Sequence, residues 1–292
     1  MKVGIFTPLV SPMATPTYIR TLGTLAEDRG FHSLWFGEHI VLPENMLSAY
    51  PYSEDGRMPE VCGTRGFPEL FTTLAFLAGC TTRIRLGSGT CILPVRNPVL
   101  TAKEAANIDW LSGGRFDLGL GLGWIREEYD AMGIPWEQRG RRADSYLELI
   151  TALWRDDVTS FTSPFYDLAP CRLDPKPIQV GGVPIYVGGD HIRTFQRIAK
   201  HGDGWYAFAL TPDQIAERLG MIKSLMIERG RRPADLEIMV CPYTLGDRIE
   251  DLERYRQVGV TQVLLTVMAQ DISTLEHKLD RRVDFVAAAA NL

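Results

Sequence analysis

Three observations in the sequence predict an α/β fold, specifically a (β/α)8 TIM barrel with insertions. Strand-length apolar runs alternate with helix-period stripes eight times over. The 292 residues fit one barrel with insertions, since such barrels commonly take about 250 residues or more. Two central strands end in glycines followed by hydroxyl, thiol or indole residues, the end at which parallel strands receive ligands. Residues 1–292 are therefore read as a single domain.

The elements follow in order. Residues 2–6 form a first strand and residues 15–29 a helix, with Ile19, Leu22, Leu25 and Ala26 on one stripe and Gly30 as its stop. Residues 31–40 give a second strand. The polar, proline-rich segment 41–66 is too long for an ordinary connection and reads as an insertion or mobile lid. Residues 68–82 are the second helix. In the third unit Ile84, Leu86 and residues 92–95 flank a small-residue run. Asn97-Pro98 then opens a helix by capping and by a tolerated first-turn proline. Leu100, Ala102, Ala105, Ala106, Ile108, Trp110 and Leu111 keep its period, and Gly113-Gly114 stops it. Residues 116–122 follow at once as a buried fourth strand.

The second half continues the alternation. Helical segments at 125–130 and 141–155 precede a stretch, 158–177, broken by Pro164, Pro170, Pro175 and Pro177, which predicts an excursion such as a hairpin. Strands at 183–187, 204–208, 236–243 and 262–268 alternate with helices at 192–200, 211–228 and 249–258, and one helix at 272–290 closes the chain.

The net charge of −5 and the absence of a polybasic block exclude electrostatic binding to nucleic acid or a membrane surface, leaving a small-molecule partner. Apolar residues at 45% supply an ample core. Cys62, Cys80, Cys91, Cys171 and Cys241 are widely spaced without a C-x-x-C pair, which suits a reducing cytoplasm and argues against structural zinc. No signal-peptide pattern opens the sequence, and no apolar run is long enough for a membrane span, so a soluble, cytoplasmic protein is expected.

Chemistry concentrates at strand ends. Trp35, Glu38 and His39 sit on the second strand and its carboxyl end, where a barrel displays ligand-facing groups, so His39 is a candidate for proton transfer as well as for a structural hydrogen bond. Residues 87–92 read either as a glycine bulge relieving barrel packing or as backbone held close to a flat ring, with Cys91 packing rather than attacking. Gly119, Gly121 and Gly123 lack the G-x-G-x-x-G spacing of a dinucleotide fold. Gly188-Gly189-Asp190 before a helix offers a phosphate seat. Glu127-Glu128 reads as a helix surface or a local salt-bridge pair. No metalloprotease, Walker or serine-elbow motif is present.

Taken together the motifs resemble the bacterial luciferase-like monooxygenase superfamily, in particular its coenzyme F420-dependent oxidoreductase branch. The matching blocks are SLWFGEH at 33–39, YPYSEDGRMP at 50–59, RIRLGSGTCILPVRNPVLTAKEAANIDWLSGGR at 83–115, LGLGLGWIREEYDAMG at 118–133, RGRRADSYLELITALW at 139–154, PIYVGG at 184–189 and GDGWY at 202–206. The resemblance implies that Glu38 and His39 lie beside the tricyclic ring as the catalytic pair, although Asp is frequent where this chain has Glu38. It implies that Thr90, Cys91 and Ile92 form the bulge behind the ring, often through a non-prolyl cis peptide. Trp35, Gly121, Gly123, Trp124, Val187, Gly188 and Gly189 are the further cofactor contacts it implies.

The function implied is hydride transfer between the deazaflavin C5 and a small organic substrate, with a homodimer as the family expectation. An FMN-dependent monooxygenase on the same barrel is the alternative, and a non-enzymatic flavin or deazaflavin carrier a third reading. Arg126, Arg139, Arg141, Arg142, Arg193 and Arg197 follow the fourth and fifth strands and either line a channel for the anionic tail of F420 or form solvated helix faces.

Overall fold

A parallel ring of strands organises the chain, described here for residues 1–59 and 66–292 of a computed structural model. The first half runs β1 (Lys2–Thr7), α1 (Pro16–Asp28), β2 (Ser33–Phe36), α2 (Leu70–Ala78), β3 (Arg85–Ser88), β4 (Cys91–Ile92), α3 (Pro98–Ser112), β5 (Phe116–Gly121), α4 (Arg126–Ala131) and α5 (Arg139–Arg155). The second half runs β6 (Thr159–Thr162), β7 (Asp167–Cys171), β8 (Ile185–Gly188), α6 (Ile192–His201), β9 (Gly204–Phe208), α7 (Pro212–Glu228), β10 (Glu237–Cys241), α8 (Glu250–Gln257), β11 (Gln262–Thr266), α9 (Ile272–Asp280) and α10 (Val283–Ala290). Strands β1, β2, β3, β5, β8, β9, β10 and β11 pair in parallel, and β11 returns to β1, so an eight-stranded TIM barrel closes. The stretch 158–177 carries the antiparallel pair β6 and β7.

Strand alternation divides the interior from the shell. Phe6, Trp35, Tyr186, Tyr206, Met239 and Leu264 pack together inside the ring, whereas Leu34, Leu86, Leu118, Leu120, Val187 and Val263 join the layer beneath the helices. The repeating glycines of LGLGLG obey the same period. Gly119 and Gly121 both face inward, because a Cβ at Gly119 would stand 2.0 Å from the Ser88 carbonyl oxygen and one at Gly121 would stand 2.4 Å from Thr90 Oγ1. Trp35 occupies the room so made, its indole donating to Ser33 Oγ at 2.8 Å.

Local signals account for the helix ends. Asn97 accepts from the Val99 and Leu100 amides, and Gly113 closes α3 with φ 71°. The apolar stripe expected on α3 is partly misplaced, however: Leu100, Trp110 and Leu111 are exposed, and the face that packs carries Ala102, Ala105, Ala106, Ile108 and Asp109. Asp109 is buried because it accepts from the Ile178 and Gln179 amides, tying down the segment before β8. The single closing helix expected at 272–290 is two helices, broken where Arg282 donates to the Thr266 carbonyl and to Asp247.

Candidate active site

The carboxyl ends of the strands enclose a cavity of about 390 Å³. One wall is built from residues with little or no side chain, Gly37, Gly89, Gly121, Gly188 and Gly189, with Thr90 and Ile92 among them. This wall exists because the third barrel strand is interrupted. β3 pairs with Phe116 and Asp117, the chain bulges through Gly89 and Thr90, and β4 resumes pairing opposite Leu120 and Gly121. The Gly89–Thr90 peptide is cis, as the family resemblance implies for this bulge.

His39 lines the same cavity, after β2. Its Nδ1 lies 3.0 Å from Glu128 Oε2, and its ring meets Phe67 and Trp124 edge-on with centroids 5.3 and 5.8 Å away. Glu128 is fully buried at the start of α4, and its Oε1 accepts from the Ile40 amide at 2.5 Å. One carboxylate thus fixes both the ring and the backbone that carries it, leaving Nε2 as the nitrogen available to a cavity ligand. The neighbouring Glu127 accepts from the Leu47 and Ser48 amides and from Ser48 Oγ at 2.6–3.0 Å. The Glu127-Glu128 pair is therefore not a helix surface. It fastens the insertion to the barrel.

Glu38 lies next to His39 in sequence but does different work. Its Oε2 accepts from the Ile92 amide at 2.7 Å, and Oε1 accepts from Arg96 Nε at 2.9 Å and from Arg96 Nη2. Burial pushes this carboxyl up, with Arg96 opposing. The resemblance implies Glu38 and His39 as a catalytic pair; in the structure both Glu38 oxygens are engaged in holding β4, so Glu38 positions the wall. Arg96 also meets Glu69 at 2.6 Å and Glu104 at 3.5 Å. Glu104, crowded by burial first and by Glu69 and Glu38 as well, is pushed up to about 7.

Of the expected cofactor contacts, Thr90, Ile92, Gly121, Gly123, Trp124, Gly188 and Gly189 line the cavity. Trp35, Cys91 and Val187 do not. Trp35 lies one inward layer lower, beneath Gly37, as the floor of the barrel. Cys91 and Val187 occupy the outward phase of their strands and pack under the helices, and burial pushes the Cys91 thiol well up, away from nucleophile chemistry.

The rest of the cavity comes from residues that the strand pattern did not single out. Tyr50 and Tyr52 descend from the insertion onto Phe208 and Tyr243 of the barrel; Tyr52 and Phe208 centroids are 4.7 Å apart, and the Tyr50 and Tyr243 hydroxyls 2.8 Å apart. Beyond Leu122, Arg139, His191 and Thr194 the cavity continues into a second hollow, where Arg141, Arg193, Arg197, Lys200 and Arg229 stand. Arg197 is compensated by Asp144, and Lys200 by Glu148. Arg139, Arg141, Arg193 and Arg229 have no carboxylate partner among the described residues, and Arg139 Nε is buried without a hydrogen bond. Arg126 and Arg142, also expected along such a channel, lie elsewhere: Arg126 pairs with Glu137, and Arg142 is buried against the Pro135 carbonyl.

The parallel barrel with an insertion after its second strand, a bulged third strand and a His–Glu pair at one rim can be set beside known proteins. The luciferase-like monooxygenase family matches residues 1–262, and the chain belongs to that family. An uncharacterised protein of Mycobacterium tuberculosis is 32% identical over 268 residues, covering 90% of this chain and 91% of that one. In three dimensions the monooxygenase RslO1 from Streptomyces bottropensis superposes with a TM-score of 0.78 at 18% identity, covering 98% of this chain and 99% of that one. An F420-dependent secondary alcohol dehydrogenase in complex with an F420-acetone adduct superposes with a TM-score of 0.79 at 15% identity, covering 99% and 98%. At these identities the two structures show the fold alone. No described helix is long and apolar enough to cross a membrane.

Proposed function

We propose that the protein is an oxidoreductase that uses coenzyme F420 and a small organic substrate. The residues present fit a flat ring with an anionic tail. Gly121 and Gly188 leave a cradle against Thr90 that added Cβ atoms would fill, at 2.4 Å from Thr90 Oγ1 and 3.0 Å from its Cγ2. Gly188 and Gly189, with φ 118° at Gly189, line the cavity just before α6, where a phosphate would meet the positive end of the helix. When bound, the deazaflavin would exchange a hydride with the substrate.

The chain's own residues would do the rest. Ile92 and Thr90 would hold the ring from behind, on a wall fixed by Glu38 and Arg96. With Glu128 on Nδ1, His39 Nε2 would pass a proton to the substrate oxygen or take one from it. Trp124 and Phe67, packed on the His39 ring, keep that exchange away from bulk water.

The single observation that carries F420 over FMN is the hollow beyond the cavity. Its four uncompensated arginines exceed what one enclosed phosphate needs, and they lie along the exit that a phosphodiester-linked oligoglutamate tail would take. Exposed ion pairs contribute about 0.2–1 kcal/mol each, so four of them would favour a long tail over none by between about fourfold and several hundredfold. Titrating the apo-protein at low and high salt with oligoglutamyl F420, its tail-less form and FMN tests this. The expected order is oligoglutamyl F420 tightest, with its advantage shrinking in high salt and in Arg193→Glu. Tighter FMN binding with oxygen-dependent turnover would overturn the reading in favour of the monooxygenase alternative.

A further inference from the structure

The half of the cavity facing the insertion differs chemically from the half facing the arginines. Phe6, Tyr52, Phe208 and Tyr243 form an aromatic chamber, with centroids 5.5 Å apart for Phe6 and Phe208 and 4.8 Å apart for Phe208 and Tyr243. The charged side chains on this half, among the described residues, are already paired: His39 with Glu128 and Glu38 with Arg96. An anionic substrate would therefore shed its hydration here without meeting a free cation, a loss of several kcal/mol for a carboxylate.

At the base of the chamber stands Tyr206. Its side chain is 2% exposed and lines the cavity, and its hydroxyl lies 3.2 Å from the point where a Cβ would extend from Gly89. That hydroxyl has no hydrogen-bond partner among the described residues. A buried hydroxyl left unpaired costs about 1–3 kcal/mol, and a phenylalanine would fill the same space without that cost. The side chain lines the cavity, so a cavity ligand is the partner left to it.

We infer that the substrate is an uncharged, apolar molecule with a carbonyl or hydroxyl oxygen, that the aromatic chamber selects it against carboxylate-bearing analogues, and that the Tyr206 hydroxyl hydrogen-bonds to it. The inference rests on the proposed oxidoreductase reading only for the site being a substrate site. It is independent of which cofactor serves.

The test is equilibrium binding without turnover, by calorimetry on the full chain, using 4-methylcyclohexanone, 4-oxocyclohexanecarboxylate and methylcyclohexane as probes. The ketone is expected to bind at least about a hundredfold tighter than the keto acid, the equivalent of about 2.7 kcal/mol. Tyr206→Phe should weaken the ketone about tenfold and leave the hydrocarbon unchanged, a difference that a merely structural role for Tyr206 would not produce. Tyr52→Lys, which places a cation in the chamber, should shift the preference toward the keto acid and keeps the selection testable should Tyr206→Phe fold poorly. Equal binding of ketone and keto acid, or an unmoved preference in Tyr52→Lys, overturns the selection. An equal loss for ketone and hydrocarbon in Tyr206→Phe overturns the hydrogen bond. A failure of F420 to bind, with the ketone preference intact, would overturn the cofactor reading alone.

Discussion

Glu128 holds His39 across 89 positions of chain, Oε2 to Nδ1 at 3.0 Å, while its other oxygen takes the next residue's amide. The ring is thereby fixed from the side and from its own backbone. His39→Ala is expected to lower turnover about a hundredfold, the scale of a lost general acid or base. Glu128→Gln retains a hydrogen-bonding group but loses the charge, and should lower kcat about tenfold with a shifted pH profile and a smaller change in KM. Steady-state kinetics across pH checks both. A wild-type pH profile in Glu128→Gln would confine Glu128 to fastening the insertion.

The insertion itself is tied by Glu127, whose hold on Leu47 and Ser48 keeps its carboxyl down at about 2. Glu127→Ala is expected to speed hydrogen exchange and proteolysis within residues 41–59 and to raise KM more than it lowers kcat. Ligand should slow exchange over the same residues if they cover the substrate. Identical exchange with and without ligand would make them a static part of the rim; the expected lid also includes residues 60–65, which lie outside the described set.

Glu104 makes stability depend on pH in a definite direction. Its folded value, about 7, exceeds the ordinary 4.5, so the folded state keeps a proton that the unfolded chain has released. This stabilisation is complete below 4.5 and is lost as pH rises toward 7. Glu104→Gln cannot ionise, and its stability relative to the parent should therefore rise through that window and level off above it. Urea unfolding of both proteins at matched pH values checks the sign; a constant difference would show that Glu104 does not titrate there.

Gly119→Ala offers a test of the barrel wall. The new Cβ would stand 2.0 Å from a backbone oxygen of Ser88 and 3.0 Å from the Trp35 ring, and neither can rotate away. A loss of about 3 kcal/mol or more is expected, read as a lowered urea midpoint or insoluble expression. Wild-type stability would mean that the bulge at Gly89 yields freely.

The sequence and the structure agree most where one local rule decides the outcome. Asn97-Pro98, Gly113 and the eightfold alternation were legible because caps and periodicity act within a few residues. The strand phase was less legible: Cys91 and Val187 share motifs with true wall residues, and only the two-residue alternation, applied to each motif, turns them outward. Trp35 obeys the phase but not the depth, which depends on the inward glycines Gly87 and Gly119 of two other strands. Glu128 was the hardest, since nothing near it in sequence announces a partner; a carboxylate pair directly after a strand end, where a ligand face lies, was the available signal. The aromatic chamber draws Tyr50 and Tyr52 from a segment with no periodicity, and folding alone brings them to Phe208.

Trp35, wedged among Gly87, Gly119, Tyr186 and Tyr206, stops the barrel axis like a cork. Nothing can leave through the amino-terminal end, so traffic is confined to the rim and the arginine hollow. Whatever binds must therefore enter and leave at the carboxyl end. One indole thus makes the barrel a blind alley, open at one mouth only.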